Sequence, residues 1–434
     1  MDLVIRPGAH APSGVLEPPP DKSISHRALL GALLARGTTI VEGLSRALDV
    51  TATLEAIRAF GAVVSERANG TLEIDGPGIE GLVEPEGVID VGNSGTLARL
   101  GLGVATLVPG LVVIDGDASV RRRPMARVIE PLRSLGAVID ARGGARWLPA
   151  AVRGARLAGG TIELRVASAQ VKSALLLAGL GAASAVSVVE PVATRPHTEE
   201  LLGLLGLEVD EEELADGRHR VSVVPGTPRP VERIVVARDP SAAAFFVVAA
   251  AATPGARLEV RGAYLGPTRT GYLDVLRRMG AEIEVLGRDT VIVRGAALGA
   301  TTIVADEVPS LIDEVPVLAV AFAAARGTSR IEGAAELRVK ESDRIETTAR
   351  MLEAFGATVE TSHDGFVVEG PTSPSGPVLV DSVRDHRIAM SAAVWAATQG
   401  IGARIRDAEW VATSYPGFVD DFVRLCEAVV RTED

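Results

Sequence analysis

The sequence predicts an α/β fold of two domains, each assembled from three copies of one helix–strand–helix–strands unit. Three observations predict it. Phe60-Gly61-Ala62-Val63-Val64 recurs as Leu135-Gly136-Ala137-Val138-Ile139, Leu205-Gly206-Leu207-Glu208-Val209, Met279-Gly280-Ala281-Glu282-Ile283 and Phe355-Gly356-Ala357-Thr358-Val359, at spacings of 75, 70, 74 and 76 residues. Each glycine closes an amphipathic helical pattern, such as 272–279, and precedes a β-branched run, so it reads as a helix stop followed by a strand. The period exceeds the 20–50 residues of most solenoid repeats, and a chain of 434 residues suits two or three domains.

The elements follow in order. Every unit opens with a helix of small residues, at 28–35, 95–108, 173–183, 242–252, 317–325 and 388–398. Ala and Gly on all faces of these helices predict burial of each against its two symmetry mates. A strand comes next, as at 38–41, 111–114 and 257–260, then a polar turn and the second helix. A sixth, degenerate stop lies at 425–429, where the chain runs out at a helix. The opening 15 or so residues are expected to supply the missing strands, so that the chain crosses between domains twice. The divide falls at Arg238-Asp239-Pro240, giving a first domain over 17–238 and a second over 1–16 plus 239–434.

Composition narrows the function classes. A net charge of −12 argues against a nucleic-acid surface. The lone Cys426 forbids an internal disulfide and fits a reducing compartment. Residues 1–7 lack the layout of a signal peptide, and the longest apolar stretch, 242–252, is too short to cross a membrane. A cytoplasmic protein with no membrane partner is expected. Six scattered histidines predict no metal site, and no Walker loop or dinucleotide fingerprint is present, so no cofactor is expected.

The second helices begin with clusters of Arg, Ser, Thr or Asp: 45–49, 119–124, 194–198, 268–270, 338–344 and 413–416. Capping explains the hydroxyls, but not basic residues at a helix start, where the dipole disfavours them. An anion cleft explains both. Two first helices start near further candidates, Asp21 to Arg27 and Gly92 to Thr96, and Asp385-His386-Arg387 reads equally as a cap or as part of the cleft. Of 44 basic residues three are lysines, Lys22, Lys172 and Lys340. A lysine kept against that bias suits proton transfer, which Arg cannot perform. That reading fits Lys22 and Lys340; Lys172 reads equally well as a surface lysine and takes no role.

These motifs together resemble one family, the 5-enolpyruvylshikimate-3-phosphate synthases (3-phosphoshikimate 1-carboxyvinyltransferases). The anchors are DKSISHRAL (21–29), GNSGT (92–96), GDASVRRRPM (116–125), SAQVKSALLLAGL (168–180), TRPHTEELL (194–202), GPTRTG (266–271), LIDEVPVLAV (311–320), ELRVKESDRI (336–345) and DHRIAMS (385–391). The resemblance implies two domains of three βαβαββ units each, an inside-out α/β barrel architecture, with the active site in the interdomain cleft. It implies transfer of the enolpyruvyl group of phosphoenolpyruvate to the 5-hydroxyl of shikimate 3-phosphate, with release of phosphate, by a monomer that needs only these small-molecule substrates.

By the same resemblance, Lys22, Ser23, Arg27, Ser168, Ala169, Gln170, Arg195, Asp313 and Lys340 would hold shikimate 3-phosphate. Lys22, Asn93, Gly95, Thr96, Arg123, Gln170, Arg344 and Arg387 would hold phosphoenolpyruvate. Lys22, Asp313 and Glu341 would be catalytic, Asp313 facing the 5-hydroxyl and Glu341 the enolpyruvyl methylene. The chain departs from the family pattern at Pro20 (usually Gly), Ala169 (often Ser) and Thr413 (Lys in many members). Gly95 implies sensitivity to glyphosate. An enolpyruvyl transferase acting on UDP-N-acetylglucosamine is the enzymatic rival, but it commonly uses a loop cysteine, and Cys426 falls in the last helix. A non-catalytic repeat scaffold would have no use for both Asp313 and Glu341 beside basic clusters.

Overall fold

The computed structural model describes residues 1–433 of the chain. By contacts it divides into two compact units, Pro20–Val236, and Met1–Pro19 with Ala237 onwards. Pro20–Val236 carries helices α1 (Lys22–Leu34), α2 (Leu48–Ala59), α3 (Gly95–Ala105), α4 (Ala126–Ser134), α5 (Ala169–Gly179) and α6 (His197–Leu204). The other domain carries α7 (Pro240–Ala251), α8 (Gly271–Met279), α9 (Val315–Ala324), α10 (Arg344–Ala354), α11 (His386–Thr398) and α12 (Phe418–Cys426).

Among the described residues the strands form six four-stranded sheets, all of one design. In the fifth unit, Thr302–Ile303 runs parallel to Gly327–Ile331, which pairs antiparallel with Phe366–Gly370, and Thr358–Thr361 closes the edge. Helices α9 and α10 lie before and after Gly327–Ile331 in the chain, so the unit reads βαβαββ. Three sheets borrow a strand from elsewhere. Arg233–Val235, beyond the third unit, runs parallel to Arg36–Glu42 of the first. Gly14–Leu16 runs parallel to Arg257–Val260 of the fourth, and Asp2–Ile5 pairs antiparallel with Ala403–Arg406 of the sixth.

The expectation that the sixth unit has no strands left is corrected. Val430–Glu433 is its edge strand, paired with Asp2–Ile5. Val429 to Thr432 is too short and polar to read as a strand alone; its partner lies at the other end of the chain. All five repeat glycines adopt positive φ, from 78° to 107°, and Glu427 takes the sixth helix stop at φ 48°. Five units thus use the residue with no side-chain penalty there, and one does without it.

The inner helices explain the small-residue pattern, and differ between domains. Helices α7, α9 and α11 pack on one another pairwise, as the sequence predicts, and α7 is buried at every residue. In the first domain only α3 and α5 meet so closely. A Cβ on Gly103 would fall 2.2 Å from the Ala174 carbonyl oxygen. Helix α1 touches α3 but lies mainly against α2 and α6. Its Leu29, Leu30, Leu33 and Leu34 are all buried, and side chains of that bulk hold neighbouring backbones apart.

Helix α1 also starts six residues before the expected 28, because Asp21 caps it: its Oδ1 accepts from Ile24 N at 2.8 Å. Lys22, Ser23 and Arg27 therefore stand on helical turns rather than in a loop, and Pro20 leaves that start intact. No helix among the described residues is long and apolar enough to cross a membrane.

Candidate active site

The expected site residues fall into one cluster in each domain. In the first, they sit at the starts of α1, α3 and α5. Lys22 Nζ is 2.9 Å from Asp49 Oδ2 at the start of α2, a partner the sequence reading did not assign. Arg27 donates from Nε to Thr198 Oγ1 and from Nη2 to Ser173 Oγ, both at 2.8 Å, and from Nη1 to the Ser23 carbonyl at 3.0 Å. Arg27 thereby ties α1 to α5 and α6.

Asn93, Gly95, Thr96, Arg123 and Gln170 are brought together. Arg123 Nη2 donates to Asn93 Oδ1 at 2.7 Å, and Asn93 Nδ2 donates to Asp117 Oδ2 at 2.6 Å. Gln170 Nε2 donates to Thr96 Oγ1 at 3.0 Å, while its Oε1 accepts from Arg99 Nη1. Arg99, which the sequence reading passed over, therefore sets the orientation of the Gln170 amide; its position one turn beyond Gly95 was the available signal. A Cβ on Gly95 would lie 2.8 Å from Arg123 Nη1 and 3.2 Å from Arg99 Nη1, so glycine leaves room for two guanidinium groups.

Ser168 is the N-cap residue of α5 but makes no side-chain capping bond, unlike Asp21 and Ser94 at α1 and α3. Its hydroxyl is left for another partner. Ala169, which opens α5, and Arg195, two residues before α6, are half-buried.

The second cluster is a caged arginine. Arg344, 1% exposed, donates from Nε and Nη2 to both oxygens of Asp385 at 2.9 and 3.2 Å. Its Nη2 is 2.6 Å from Glu341 Oε2, and its Nη1 3.5 Å from Asp313 Oδ1. Lys340 Nζ is 3.5 Å from the same Asp313 oxygen. Arg387 Nη1 donates to the Asp313 carbonyl at 2.6 Å and lies 3.7 Å from Glu314 Oε1. Burial opposes the Arg344 charge, but Asp385, Glu341 and Asp313 outweigh it and raise the guanidinium above its ordinary range. For Asp385 burial again opposes ionisation, Arg344 prevails, and the carboxyl is held below its usual range.

Asp385 is fully buried, whereas Asp313 and Glu341 are 17% and 18% exposed. One carboxylate is thus a fixed counter-ion and two can meet a substrate. The sequence left Asp385 between cap and cleft. It is a cap and a buried counter-ion: its Oδ1 accepts from Arg387 N at 2.9 Å while the carboxylate grips Arg344.

A sequence profile described as EPSP synthase (3-phosphoshikimate 1-carboxyvinyltransferase) matches residues 8–422. The chain belongs to the EPSP synthase family. Curated relatives named 3-phosphoshikimate 1-carboxyvinyltransferase include one from Synechococcus sp. (strain RCC307), 45% identical over 98% of this chain and 99% of its own length. Another, from Anaeromyxobacter sp. (strain Fw109-5), is 48% identical over 95% and 96%. Among solved structures, EPSP synthase from Acinetobacter baumannii superimposes with a TM-score of 0.84 at 37% identity, over 99% of this chain and 100% of that one. The enolpyruvyl transferase NikO from Streptomyces tendae shares the fold alone, with a TM-score of 0.77 at 18% identity over 99% and 98%.

Placing three further residues of this EPSP synthase family member sharpens their reading. Lys172 is not on the surface; it is fully buried between Glu190 and Glu199. Cys426 is buried, and burial pushes its thiol up to about 12, which removes it as a nucleophile. Thr413 is buried too, its hydroxyl 3.3 Å from His386 Nδ1 and donating to the Trp410 carbonyl at 2.7 Å. It takes up no role equivalent to a cleft lysine.

Proposed function

We propose that this chain transfers the enolpyruvyl group of phosphoenolpyruvate to the 5-hydroxyl of shikimate 3-phosphate and releases inorganic phosphate. The observation that carries the reading is the Arg344 cage: two reachable carboxylates, Asp313 and Glu341, share one buried cation with Lys340 alongside. Addition requires a proton to leave the hydroxyl and another to reach C3 of the enol. Elimination takes the C3 proton back and expels phosphate. Two carboxylates that act at different atoms suit that sequence.

In this reading Asp313 accepts the 5-hydroxyl proton and Glu341 serves C3. Lys22 and Lys340 stabilise the leaving phosphate, and can also give it a proton, which a guanidinium cannot do. Arg123, Arg344 and Arg387 hold phosphoenolpyruvate with Asn93, Gly95 and Thr96. Ser23, Arg27, Ser168, Ala169, Gln170 and Arg195 hold shikimate 3-phosphate. A phosphoenolpyruvate carboxylate taken up by Arg344 would exchange with Glu341, freeing that side chain for C3. The protein acts as a cytoplasmic monomer, and glyphosate competes with phosphoenolpyruvate beside Gly95.

Mixing the protein with both substrates and following inorganic phosphate tests the reading. Release that requires both substrates, in step with the enolpyruvyl product, is expected. Background-level release with both substrates present would overturn it.

A further inference from the structure

Lys172 lies on α5 two residues beyond Gln170, has no exposed surface, and takes no part in the chemistry above. Its ammonium donates to Glu190 Oε1 at 2.8 Å and to the Thr194 carbonyl at 3.4 Å, and is ion-paired with Glu199 Oε1 at 2.6 Å. Three N–H donors on a compact tetrahedral head match three oxygens, a fit that a planar guanidinium does not have. That explains a lysine at this position in a chain that otherwise uses arginine.

What the three oxygens belong to matters more. Glu190 ends the strand Val186–Glu190 and also accepts from Thr194 N at 2.9 Å and Thr194 Oγ1 at 2.6 Å. Lys172 and Glu190 together therefore close the turn that delivers Arg195. Lys172 N donates to the Ser168 carbonyl at 3.0 Å, so the same residue sits under the first turn of α5 with Ser168, Ala169 and Gln170. Next along each helix, Ser173 and Thr198 share a 2.7 Å hydrogen bond and both accept from Arg27.

We propose that Lys172 is a positioning residue for shikimate 3-phosphate: through Glu190, Glu199 and Thr194 it holds the α5 start and the Arg195 turn in one register. The proposal rests on the function read above. A buried ion pair is a costly way to gain stability, and an apolar side chain of similar volume often serves as well or better. Registry of two ligand-bearing segments is what the charge adds here.

The test compares wild type with Lys172→Met, which keeps the length and removes the charge, and with Thr194→Val, which removes a single hydroxyl near the turn. If wild type releases no phosphate, the functional reading fails before this one is reached. With an active wild type, Lys172→Met should raise the KM for shikimate 3-phosphate by about tenfold or more and leave that for phosphoenolpyruvate within about threefold. Calorimetric binding of shikimate 3-phosphate alone should weaken by the same factor. Thr194→Val should show the same selectivity at about threefold, with its melting temperature close to wild type, and it decides the matter if Lys172→Met does not fold. Equal changes in both KM values, or a folded variant with neither changed, would overturn the proposal.

Discussion

The two domains carry the same βαβαββ unit three times each, yet place opposite electrostatic devices at their helix starts. In Pro20–Val236 the side chains at the site are cations and neutral donors: Lys22, Arg27, Arg123 and Gln170, braced by hydroxyls and a few carboxylates set behind them. In the other domain Asp313, Glu341 and Asp385 surround one buried arginine. The first arrangement is mostly cationic, and the second sets carboxylates directly against its cations. A repeat thus supplies equivalent positions, and the side chains at those positions set the electrostatics of each domain's cluster.

The packing differs in step. Where α7, α9 and α11 pack as a threefold set, the helix starts bring Asp313, Arg344 and Arg387 within direct contact. Where α1 stands off from α5, the long Arg27 side chain bridges the gap to Ser173.

Breaking the cage should have the largest effect. Arg344→Met strands the fully buried Asp385, at a cost of about 3–5 kcal/mol of stability, read by chemical denaturation. Its kcat/KM should fall by about 10⁴. A stable, active variant would show that the cage is not an ion cluster in solution. Glu341→Gln keeps the shape and removes the proton acceptor; kcat should drop by about 10³ with little change in either KM. If KM rises instead while kcat holds, Glu341 belongs to binding.

Lys22→Arg probes the first domain. Charge is retained but not proton donation, and a loss of about 10² in kcat is expected. Turnover within about tenfold of wild type would leave that lysine a purely electrostatic role. Gly95→Ala should be milder. The added methyl pushes against the end of the Arg123 side chain, 2.8 Å away, so the KM for phosphoenolpyruvate should rise by about tenfold and glyphosate inhibition should weaken. An unchanged phosphoenolpyruvate KM would remove Gly95 from that subsite.

The smallest effect concerns pH. His26 is buried on α1, 2.6 Å from Thr53 Oγ1, and burial, with Lys22 and Arg27 nearby, holds its imidazole well below the usual range. As pH falls below about 6.5 the unfolded chain takes up this proton and the folded chain does not. Stability is therefore full above that pH and declines below it, by at most about 1.4 kcal/mol per unit for one group. Denaturation curves of His26→Gln between pH 5 and 7.5 should lack that part of the slope. An identical slope in the variant would assign it elsewhere.

The repeat was legible because its marks are local. A glycine at a helix stop and a small-residue helix each follow from backbone geometry, and five of the six stops carry the glycine. The candidate site was legible for a related reason: Lys, Arg, Asp and Glu at helix starts need a purpose other than capping. The partners of Arg99 and Asp49, and the burial of Lys172, were not legible. They depend on partners 71, 27 and 18 residues away respectively, set by which helix packs on which.

By itself, then, the sequence determined the unit, its sixfold count and the chemical types at each helix start, since these rest on φ preferences, periodicity and charge within a few residues. Tertiary structure alone decided that Asp385 cages Arg344, that Val430–Glu433 becomes a strand against Asp2–Ile5, and that Lys172 is buried. Those outcomes depend on desolvation and on pairing across long loops, and no short window of sequence contains either partner's surroundings.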